Sequence, residues 1–433
     1  MFVSDSLSVN SRGHLTIGGA DVVSLAEKYG TPLYIMDEDK IRRTCRAYTS
    51  ALKQCYGDSH TVFYASKAFS AKYIYKIIAE EGLGADVVSG GELYTAIKAG
   101  FPADRIHFHG NNKTSAEIEL AIKYGIGQFV VDNDEELNLI NEIAKRENIV
   151  ADISFRVKPG IDAHTHDFVK TGQIDSKFGV ALENGEAFEI VKKAISLPNI
   201  RLCGVHCHIG SQIFDIEPFA HAAEVMMAFV AKIKNELSYE ICELNLGGGF
   251  GVRYTEADDP KSIFDAVKNF TDAVKREAEK FGVKLPHISI EPGRSIVAEA
   301  GITVYAVGAV KEIKGIRTYI SVDGGMTDNP RYALYGSEYT MLLPERALAE
   351  KTECVTVAGR NCESGDLLGE NVSLPKAQSG DLLAVLTTGA YNYSMASNYN
   401  RVPRPPVVMV NNGEDKLVVK RETYEDIIAN DIM

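Results

Sequence analysis

The run Val62-Phe63-Tyr64-Ala65-Ser66-Lys67-Ala68 begins as a short apolar, aromatic-rich strand and ends on a lysine. A lysine that closes a buried strand sits on a stiff element with an apolar wall behind its amine. Desolvation of this kind lowers a lysine pKa and frees the lone pair of Nζ for attack on a carbonyl carbon. The alternative is a lysine that leaves the strand for solvent, as most lysines do. The rest of the chain decides between the two interpretations.

A strand-then-helix rhythm continues on either side of this run. The pattern predicts eight short strands that are apolar on both faces, at 61–66, 84–89, 105–109, 128–132, 151–157, 201–208, 241–246 and 287–291. Helical patterns separate them, at 71–81, 90–99, 114–124, 134–147, 185–196, 217–237 and 260–281. Eight such repeats predict an α/β fold, a closed parallel (β/α)8 barrel of the TIM type. A doubly wound open sheet has the same rhythm and is the alternative.

The rhythm ends after residue 291. Runs at 302–307, 318–322, 354–357 and 381–386 are rich in β-branched residues and bounded by Gly, Asp or Pro, and helical patterns become scarce. Such runs predict a mostly antiparallel β domain of sandwich or barrel type. We therefore expect a barrel over 38–290 and a β domain formed by 1–37 together with 291–433.

Length and charge restrict the possible classes of protein. The 433 residues exceed one ordinary core, and 45% apolar with 24% charged residues is typical of a soluble globular protein. A formal net charge of −13 without any basic run argues against nucleic acid as a partner. The N-terminus lacks the pattern of a secretory signal, and the apolar runs are too short or too interrupted to span a membrane.

Cysteine usage points to a reducing compartment. Seven cysteines, an odd number without framework spacing, predict reduced thiols and a cytoplasmic location. Cys203, His206, Cys207 and His208 lie close together in sequence but lack the ligand spacing of a zinc site. We therefore expect no metal.

Barrel enzymes place their reacting groups at the carboxyl ends of the strands. The predicted strand ends are rich in titratable groups and glycine: Lys67, Asp86, His109, Arg156, His208, Gly247-Gly248-Gly249 and Glu291. Three of these positions decide the interpretation.

The first is Gly247-Gly248-Gly249-Phe250-Gly251, which follows the seventh strand. Three glycines allow backbone N–H groups to converge on an anion, and a phosphate site after strand 7 recurs in barrels. A plain tight turn is the alternative.

The second is Glu291-Pro292-Gly293-Arg294, at the end of strand 8. A buried carboxylate there needs a cationic partner, and a protonated pyridine nitrogen would serve. An internal Glu291–Arg294 ion pair is the alternative.

The third is His208-Ile209-Gly210-Ser211, where an imidazole could stack on a ring and a hydroxyl could bind phosphate. A structural histidine is the alternative. Lysine, phosphate cradle, ring-facing histidine and carboxylate are together what pyridoxal 5'-phosphate (PLP) requires.

Six motifs occur in one order along the chain: YASKAF, HCHIGSQ, LGGGFG, EPGR, NCESGD and GAYNYSMASNYN. In these motifs, from about Pro32 to Pro406, the sequence resembles the fold-type III PLP-dependent decarboxylases, and most closely the diaminopimelate decarboxylase family. One departure is Tyr332, where the family more often has proline; we expect it to alter a loop and leave the chemistry intact.

The resemblance implies roles for particular residues. Catalytic roles would fall to Lys67 as the PLP lysine, to Glu291 at the pyridine nitrogen, to His208 on the ring, and to Cys362 as proton donor. The implied cofactor-binding residues are Lys67, Asp86, Arg156, His208, Ser211, Gly247, Gly248, Gly249, Glu291, Gly293, Arg294 and Tyr391. It also implies a homodimer with shared active sites, in which Cys362 and Glu363 reach the partner's cofactor and the β domain contributes to the interface.

The substrate prediction rests on charge complementarity. The implied substrate-binding residues, Arg294, Arg331, Tyr335, Glu363 and Tyr391, suit a distal carboxylate and a distal ammonium. Meso-2,6-diaminopimelate has both groups, and its decarboxylation gives L-lysine, the last step of lysine biosynthesis.

Several alternatives stay open. Ornithine and arginine decarboxylases prefer carboxylates around a distal cation, and the ornithine enzymes usually carry an aspartate where this chain has Gly336. Carboxynorspermidine decarboxylases are the nearest rival. Glu291 argues against an alanine racemase, which places an arginine at the ring nitrogen. A regulatory homologue without activity, a small PLP carrier and a barrel that binds a phosphorylated substrate without PLP are less favoured.

Overall fold

The computed structural model describes residues 2–161 and 176–433 and divides the chain into two compact units. The β unit comprises Met1–Arg43, Val252–Asp259 and Arg294–Met433; the barrel unit comprises Thr44–Gly251 and Pro260–Gly293. The sequence prediction placed the two boundaries at 37/38 and 290/291 and left residues 252–259 within the barrel. Each unit has its own buried core.

The N-terminal segment belongs to the β unit. Its elements are β1 (Leu7–Val9), β2 (Leu15–Ile17), β3 (Ala20–Asp21), α1 (Val22–Tyr29) and β4 (Leu33–Asp37), followed by α2 (Glu38–Tyr56). Strands β1 to β3 form a small antiparallel sheet. Helix α1 begins where the Asp21 carboxylate accepts the N–H groups of Val23 and Ser24, which satisfies two of its free donors.

The barrel unit contains a closed ring of eight parallel strands. They are β5 (His60–Ala65), β6 (Gly84–Val87), β7 (Ile106–Phe108), β8 (Gln128–Val131), β9 (Ala151–Lys158), β11 (Ile200–His206), β12 (Glu243–Asn245) and β13 (His287–Ile290), with the short β10 (Val180–Ala181) beside β9. Strand β13 pairs with β5, and β8 pairs with β9, so the ring has no free edge. The predicted barrel is confirmed.

Helices follow the strands as the sequence predicts. They are α3 (Lys72–Glu80), α4 (Gly90–Lys98), α5 (Ser115–Tyr124), α6 (Asp134–Arg146), α7 (Glu186–Ser196), α8 (Glu217–Leu237) and α9 (Ile263–Phe281). Their ends have local causes. Thr114 and Glu117 form a reciprocal capping box at the start of α5, and α5 and α9 end on Gly125 and Gly282 in the left-handed conformation, which glycine adopts without a Cβ clash.

The barrel interior contains a polar layer as well as apolar side chains. The Ser289 hydroxyl donates to Glu243, the Gln128 amide donates to the same carboxylate, and the Ser154 hydroxyl donates to Gln128. These four side chains come from β13, β12, β8 and β9. Because the network satisfies groups that would otherwise be buried without partners, it ties these four strands together inside the barrel.

The rest of the β unit is a mostly antiparallel sheet. Its elements are α10 (Arg294–Val297), β14 (Gly301–Ile313), β15 (Arg317–Val322), α11 (Arg331–Tyr335), β16 (Met341–Leu342), β17 (Glu353–Ala358), β18 (Leu367–Leu374), β19 (Leu382–Val385), β20 (Val407–Asn411), β21 (Glu414–Val419) and α12 (Tyr424–Ile428). The main path is β18-β17-β15-β14-β4-β20-β21, in which only β15–β17 and β4–β20 are parallel pairs. The predicted β domain is confirmed. Within the described part of the chain, no helix has the length and apolar character needed to cross a membrane.

Candidate active site

Lys67 lies in a one-turn 3-10 helix, Ser66–Ala68, directly after β5. Its neighbours Ser66 and Ala68 are buried, but the Lys67 side chain is exposed. The expectation that burial in the strand desolvates the Lys67 amine is therefore wrong. The reason is that the turn after the strand, and not the buried strand itself, presents the lysine.

Glu291 is a buried carboxylate directly after β13, surrounded by hydrogen-bond donors. Its Oε2 lies 3.1 Å from Nε2 of His206, its Oε1 accepts from Nδ2 of Asn245 at 2.7 Å, and Nε2 of His109 lies 3.0 Å from Oε1. Burial raises the pKa of Glu291, but the two histidines outweigh it and hold that pKa well below its ordinary value. The site therefore contains a carboxylate kept ionised in the interior.

Asp86, at the end of β6, is a second buried carboxylate, and its pKa is shifted in the opposite direction to that of Glu291. Burial and the charge of Glu291 raise the pKa of Asp86 to about 6, while His109 and Lys67 oppose this rise. Its Oδ1 has no hydrogen-bond partner in the part of the chain that the structure describes. Two carboxyls with pKa values displaced in opposite directions are characteristic of functional sites.

Arg156 on β9 is half-buried, and its guanidinium lies 4.5 Å from the centroid of the Phe178 ring. Burial lowers the pKa of Arg156, and the charges of Asp132, Glu291 and Asp86 oppose that change. Arg156 therefore belongs to the same electrostatic cluster as the two carboxylates.

His208 follows β11 and contacts the glycine loop. Its Nδ1 accepts the N–H of Gly248 at 3.3 Å. Burial, together with the charges of Lys67 and Arg156, holds the pKa of His208 well below its ordinary value. The ring is thus neutral at pH 7, with its proton on Nε2, and half-exposed as a flat surface.

The glycine loop after β12 leaves no room for side chains. A Cβ on Gly248 would lie 2.1 Å from the carbonyl oxygen of Glu291, and one on Gly249 would lie 2.3 Å from that of Gly210. Gly247 and Gly249 have φ of +68° and +109°, in the region that favours glycine. Among the described residues, no acceptor takes the N–H of Gly249, so this amide is available to an anion.

The remaining predicted cofactor residues of the barrel lie on either side of this loop. Ser211 is half-buried in the loop after β11, which pairs with the glycine loop through the N–H of Ile213 and the carbonyl oxygen of Gly249, 2.9 Å apart. A Cβ on Gly293 would lie 2.8 Å from the carbonyl oxygen of Ala65, so glycine allows the end of β13 to pack against the end of β5.

These groups suit PLP. An amine, an ionised buried carboxylate, a neutral flat imidazole and a loop with an available amide match the aldehyde, the ring nitrogen, the ring face and the phosphate in turn. Asn245 and His206, which contact Glu291 directly, were missed as site residues. The position of His206 two residues before His208 in the predicted strand 201–208 was the available signal, since alternate strand residues share a face.

Three potential metal ligands also meet here. Atoms of His109, His206 and Glu291 lie within 4.8 Å of one another, and all three residues are buried. This set differs from the Cys203–His208 cluster considered in the sequence. Separations of 3.0 and 3.1 Å between the histidine nitrogens and the carboxylate oxygens are those of hydrogen-bonded or ion-paired groups.

The β unit contains a separate cluster of arginines and tyrosines. The guanidiniums of Arg294 and Arg331 lie 4.8 and 5.3 Å from the centroid of the Tyr391 ring, and Arg331 lies 5.1 Å from that of Tyr335. Nη1 of Arg294 donates to the hydroxyl of Tyr254 at 2.6 Å. The structure thus brings together four of the five predicted substrate-binding residues.

Arg331 is the notable member of this arginine–tyrosine cluster. It is 9% exposed, its Nε has no hydrogen-bond partner, and within residues 2–161 and 176–433 no carboxylate forms an ion pair with it. A buried arginine without a counter-ion is costly unless an anion arrives from outside. Tyr391 has φ of +64°, a strained backbone of the kind that functional sites tolerate.

Two tyrosines of this cluster lie outside every motif of the sequence. Tyr254 and Tyr339 pack edge to face, 5.2 Å apart, and the Tyr339 hydroxyl is buried without a hydrogen-bond partner in the described part of the chain. Tyr254 lies in the 252–259 segment, which no motif marks.

Cys362 and Glu363 lie in the loop between β17 and β18, and both are exposed. The N–H of Cys362 donates to Oδ1 of Asn400 at 2.6 Å. Among the described residues, no hydrogen bond or ion pair joins either side chain to the arginine–tyrosine cluster. Tyr332 lies within helix α11, not in a loop, and its hydroxyl donates to Glu370 at 3.1 Å.

Comparison with known proteins agrees with this arrangement. Residues 38–298 match the family model of the pyridoxal-dependent decarboxylases, pyridoxal binding domain. The fold and the barrel cluster therefore define a pyridoxal-dependent decarboxylase.

Individual relatives specify the kind of decarboxylase. The chain is 51% identical over 422 residues to diaminopimelate decarboxylase of Bacillus methanolicus, covering 98% of both chains, and 50% identical over 432 residues to that of Bacillus subtilis, covering 100% of this chain and 98% of the relative. The crystal structure of diaminopimelate decarboxylase from M. jannaschii in complex with L-lysine superposes with a TM-score of 0.92 at 38% identity, over 100% of this chain and 99% of the other. The chain belongs to the diaminopimelate decarboxylase family.

Proposed function

We propose that this chain uses PLP to decarboxylate meso-2,6-diaminopimelate to L-lysine and CO2, as the last step of lysine biosynthesis. The observation that carries the substrate assignment is Arg331, a buried guanidinium without a carboxylate partner in the described residues, beside Arg294 at the Tyr391 ring. Two guanidiniums in this arrangement suit the distal carboxylate of a diamino diacid, since each can donate two parallel hydrogen bonds.

The barrel residues hold the cofactor in this proposal. When bound, PLP supplies an electron sink for the electron pair that remains when CO2 leaves Cα. Lys67 would hold the cofactor through its aldehyde group, and its exposed position leaves Nζ accessible. The Glu291 carboxylate would pair with the protonated ring nitrogen, and the neutral His208 ring would support the cofactor ring.

The phosphate requires donors rather than side-chain bulk. The available N–H of Gly249 supports a phosphate cradle at Gly247–Gly249, to which we add the Ser211 and Tyr391 hydroxyls. Asp86, Arg156, Gly293 and Arg294 complete the proposed cofactor-binding set.

The substrate is held and reprotonated by β-unit residues in this proposal. Arg294, Arg331, Tyr335 and Tyr391 bind its distal carboxylate, and Glu363 pairs with its distal ammonium. Sγ of Cys362 delivers the proton to Cα after CO2 has left. The exposure of Cys362 and Glu363 supports a homodimer in which these two residues serve the partner's site.

We further propose a cytoplasmic location, in keeping with seven free cysteines.

The decisive experiment measures CO2 release by the PLP-loaded protein from four substrates: meso-diaminopimelate, ornithine, arginine and carboxynorspermidine. We expect release from diaminopimelate alone, with L-lysine identified by chiral analysis. Release from ornithine or arginine alone would preserve the decarboxylase chemistry and refute the distal-carboxylate assignment. Release only from carboxynorspermidine would establish the nearest rival, and no release from any would contradict the proposal.

A further inference from the structure

The carboxylate of Glu291 has a fixed donor on each oxygen. The amide of Asn245 donates to Oε1 at 2.7 Å, and the Nε2 of His206 lies 3.1 Å from Oε2. The relative exposures of Asn245, His206 and Glu291 are 2%, 0% and 7%, so water competes little for either hydrogen bond.

The proton position on His206 follows from its surroundings. Nδ1 of His206 is buried and has no hydrogen-bond partner in the described part of the chain, whereas Nε2 faces a carboxylate. A proton on Nδ1 would be a buried donor without an acceptor, which is costly. We therefore assign the proton to Nε2, where His206 donates to Glu291.

The barrel makes this arrangement rigid. His206 ends β11 and is registered against Asn245 at the end of β12, and Asn245 is registered against Ser289 on β13. Glu291 follows β13 directly, and its N–H donates to the carbonyl oxygen of Gly247 at 2.8 Å. Three adjacent strands thus fix the two donors and the acceptor.

His109 approaches the carboxylate differently. Its Nε2 lies 3.0 Å from Oε1 of Glu291 and 3.9 Å from Oδ1 of Asp86, yet it meets the geometry of a hydrogen bond with neither. The firm partners of Glu291 are therefore His206 and Asn245.

We propose that His206 and Asn245 are positioning residues that hold the Glu291 carboxylate as an oriented anion for the protonated ring nitrogen of the cofactor. This inference rests on the role proposed above for Glu291. Neither residue needs to touch the cofactor; each acts through the carboxylate. The consequence is specific: these residues contribute to the affinity only for a cofactor that has a basic ring nitrogen.

The test compares two ligands of the full-length protein after removal of its cofactor: PLP and 1-deaza-pyridoxal 5'-phosphate, whose ring lacks the basic nitrogen. Dissociation constants come from absorbance titrations. We expect the wild-type protein to prefer PLP. In His206→Leu, which removes the donor, PLP affinity falls about tenfold or more, while affinity for the deaza analogue stays nearly unchanged.

His206→Gln is the matched control, since its side-chain amide retains a donor of similar reach, and we expect it to keep most of the preference for PLP. Asn245→Leu serves if His206→Leu does not fold. It removes the donor to Oε1 of Glu291 without adding a charge, and it is expected to lose the same preference for PLP over the deaza analogue.

Equal losses for both ligands in His206→Leu and Asn245→Leu would show a merely structural role and overturn the inference, as would no loss for either ligand. A wild-type protein without any preference would refute the role of Glu291 itself, and the inference with it. That result is distinguishable from failure of the decarboxylase proposal, because CO2 release is measured independently of these titrations.

Discussion

At the residue scale, Arg331 is a buried positive charge for which the described residues supply no counter-ion, which indicates a binding position for an anionic group. Its guanidinium is buried beside Tyr335 and Tyr391 and has no ion-pair partner among the described residues. We expect Arg331→Met, which keeps an unbranched aliphatic side chain and removes the charge, to lower kcat/KM for meso-diaminopimelate roughly 30- to 700-fold, as the loss of about 2–4 kcal/mol of charge-pair binding predicts. Steady-state kinetics measures the change.

The control for this variant is Arg317→Met. Arg317 is exposed and pairs with Glu370 at 2.7 Å, so its loss is expected to leave kcat/KM almost unchanged. If Arg331→Met retained the KM of the wild-type protein, the distal carboxylate would have to bind elsewhere.

The raised pKa of Asp328 predicts, at the same scale, how the stability of the protein depends on pH. Burial raises its pKa from 3.8 to about 7, although the hydroxyls of Tyr305 and Thr327 and the N–H of Gly325 donate to it. Between about pH 4 and pH 7 the folded protein therefore keeps a proton that the unfolded chain has released. The stabilisation from this proton is complete below about pH 4 and is lost as pH rises to about 7.

We expect Asp328→Asn to remove this contribution, so that the difference in unfolding free energy between variant and wild type changes between pH 5 and pH 8 in favour of the variant. Denaturant unfolding at both pH values measures it. Asp58→Asn, at a side chain that is 90% exposed, is the control and should show no such change. A difference for Asp328→Asn that is constant with pH would contradict the assigned pKa.

The glycine loop is the feature of interest at the scale of elements. Gly248 packs against the end of β13, and a Cβ there would lie 2.1 Å from the carbonyl oxygen of Glu291. We expect Gly248→Ala to lower the free energy of unfolding by about 1–3 kcal/mol, because backbone must move to accommodate the methyl group. The same movement should weaken cofactor retention, which is read from the visible absorbance after dialysis.

Gly91→Ala is the matched substitution outside the loop. Gly91 lies in helix α4, and the nearest atom to its added Cβ is Oγ of Ser89 at 3.7 Å. This variant should be as stable as the wild type or more stable by up to about 1 kcal/mol, since alanine favours the helix. Equal behaviour of the two variants would mean that the loop is not tightly packed.

The elements of the barrel were predictable because each leaves a local signal. All eight strands and seven helices appear where apolar runs, caps and glycines place them. The strands of the β unit were less predictable from the sequence. Strands β18, β20 and β21 went unrecognised. β20 pairs with β4, a strand distant in sequence, whereas β18 and β21 pair with their neighbours β17 and β20 but contain exposed polar residues and so give no continuous apolar run.

The proposed homodimer is a question at the scale of the whole molecule. If Cys362 serves the partner's cofactor, then Lys67→Ala and Cys362→Ala damage different halves of each shared site. We expect Lys67→Ala to lose the visible absorbance of bound PLP, and Cys362→Ala to keep it while turning over slowly. Mixing equal amounts under exchange conditions should restore up to about a quarter of the wild-type activity, because half of the dimers are mixed and each has one intact site.

The control is Lys72→Ala, an exposed lysine at the start of α3, which should keep the absorbance and the activity. No recovery on mixing, with subunit exchange verified by mass, would refute shared sites. That result would not affect the proposal that the barrel cluster binds the cofactor.

The sequence by itself determined the barrel and the antiparallel unit and led to the proposed cofactor set, because strand rhythm, caps and glycine-rich strand ends are local signals. The tertiary structure alone decided which side chains support that set. It placed His206 and Asn245 on Glu291, exposed Lys67, and buried Arg331 without an ion-pair partner among the described residues. Burial, strand register and the balance of charges arise only when distant segments meet, so no local pattern could give them.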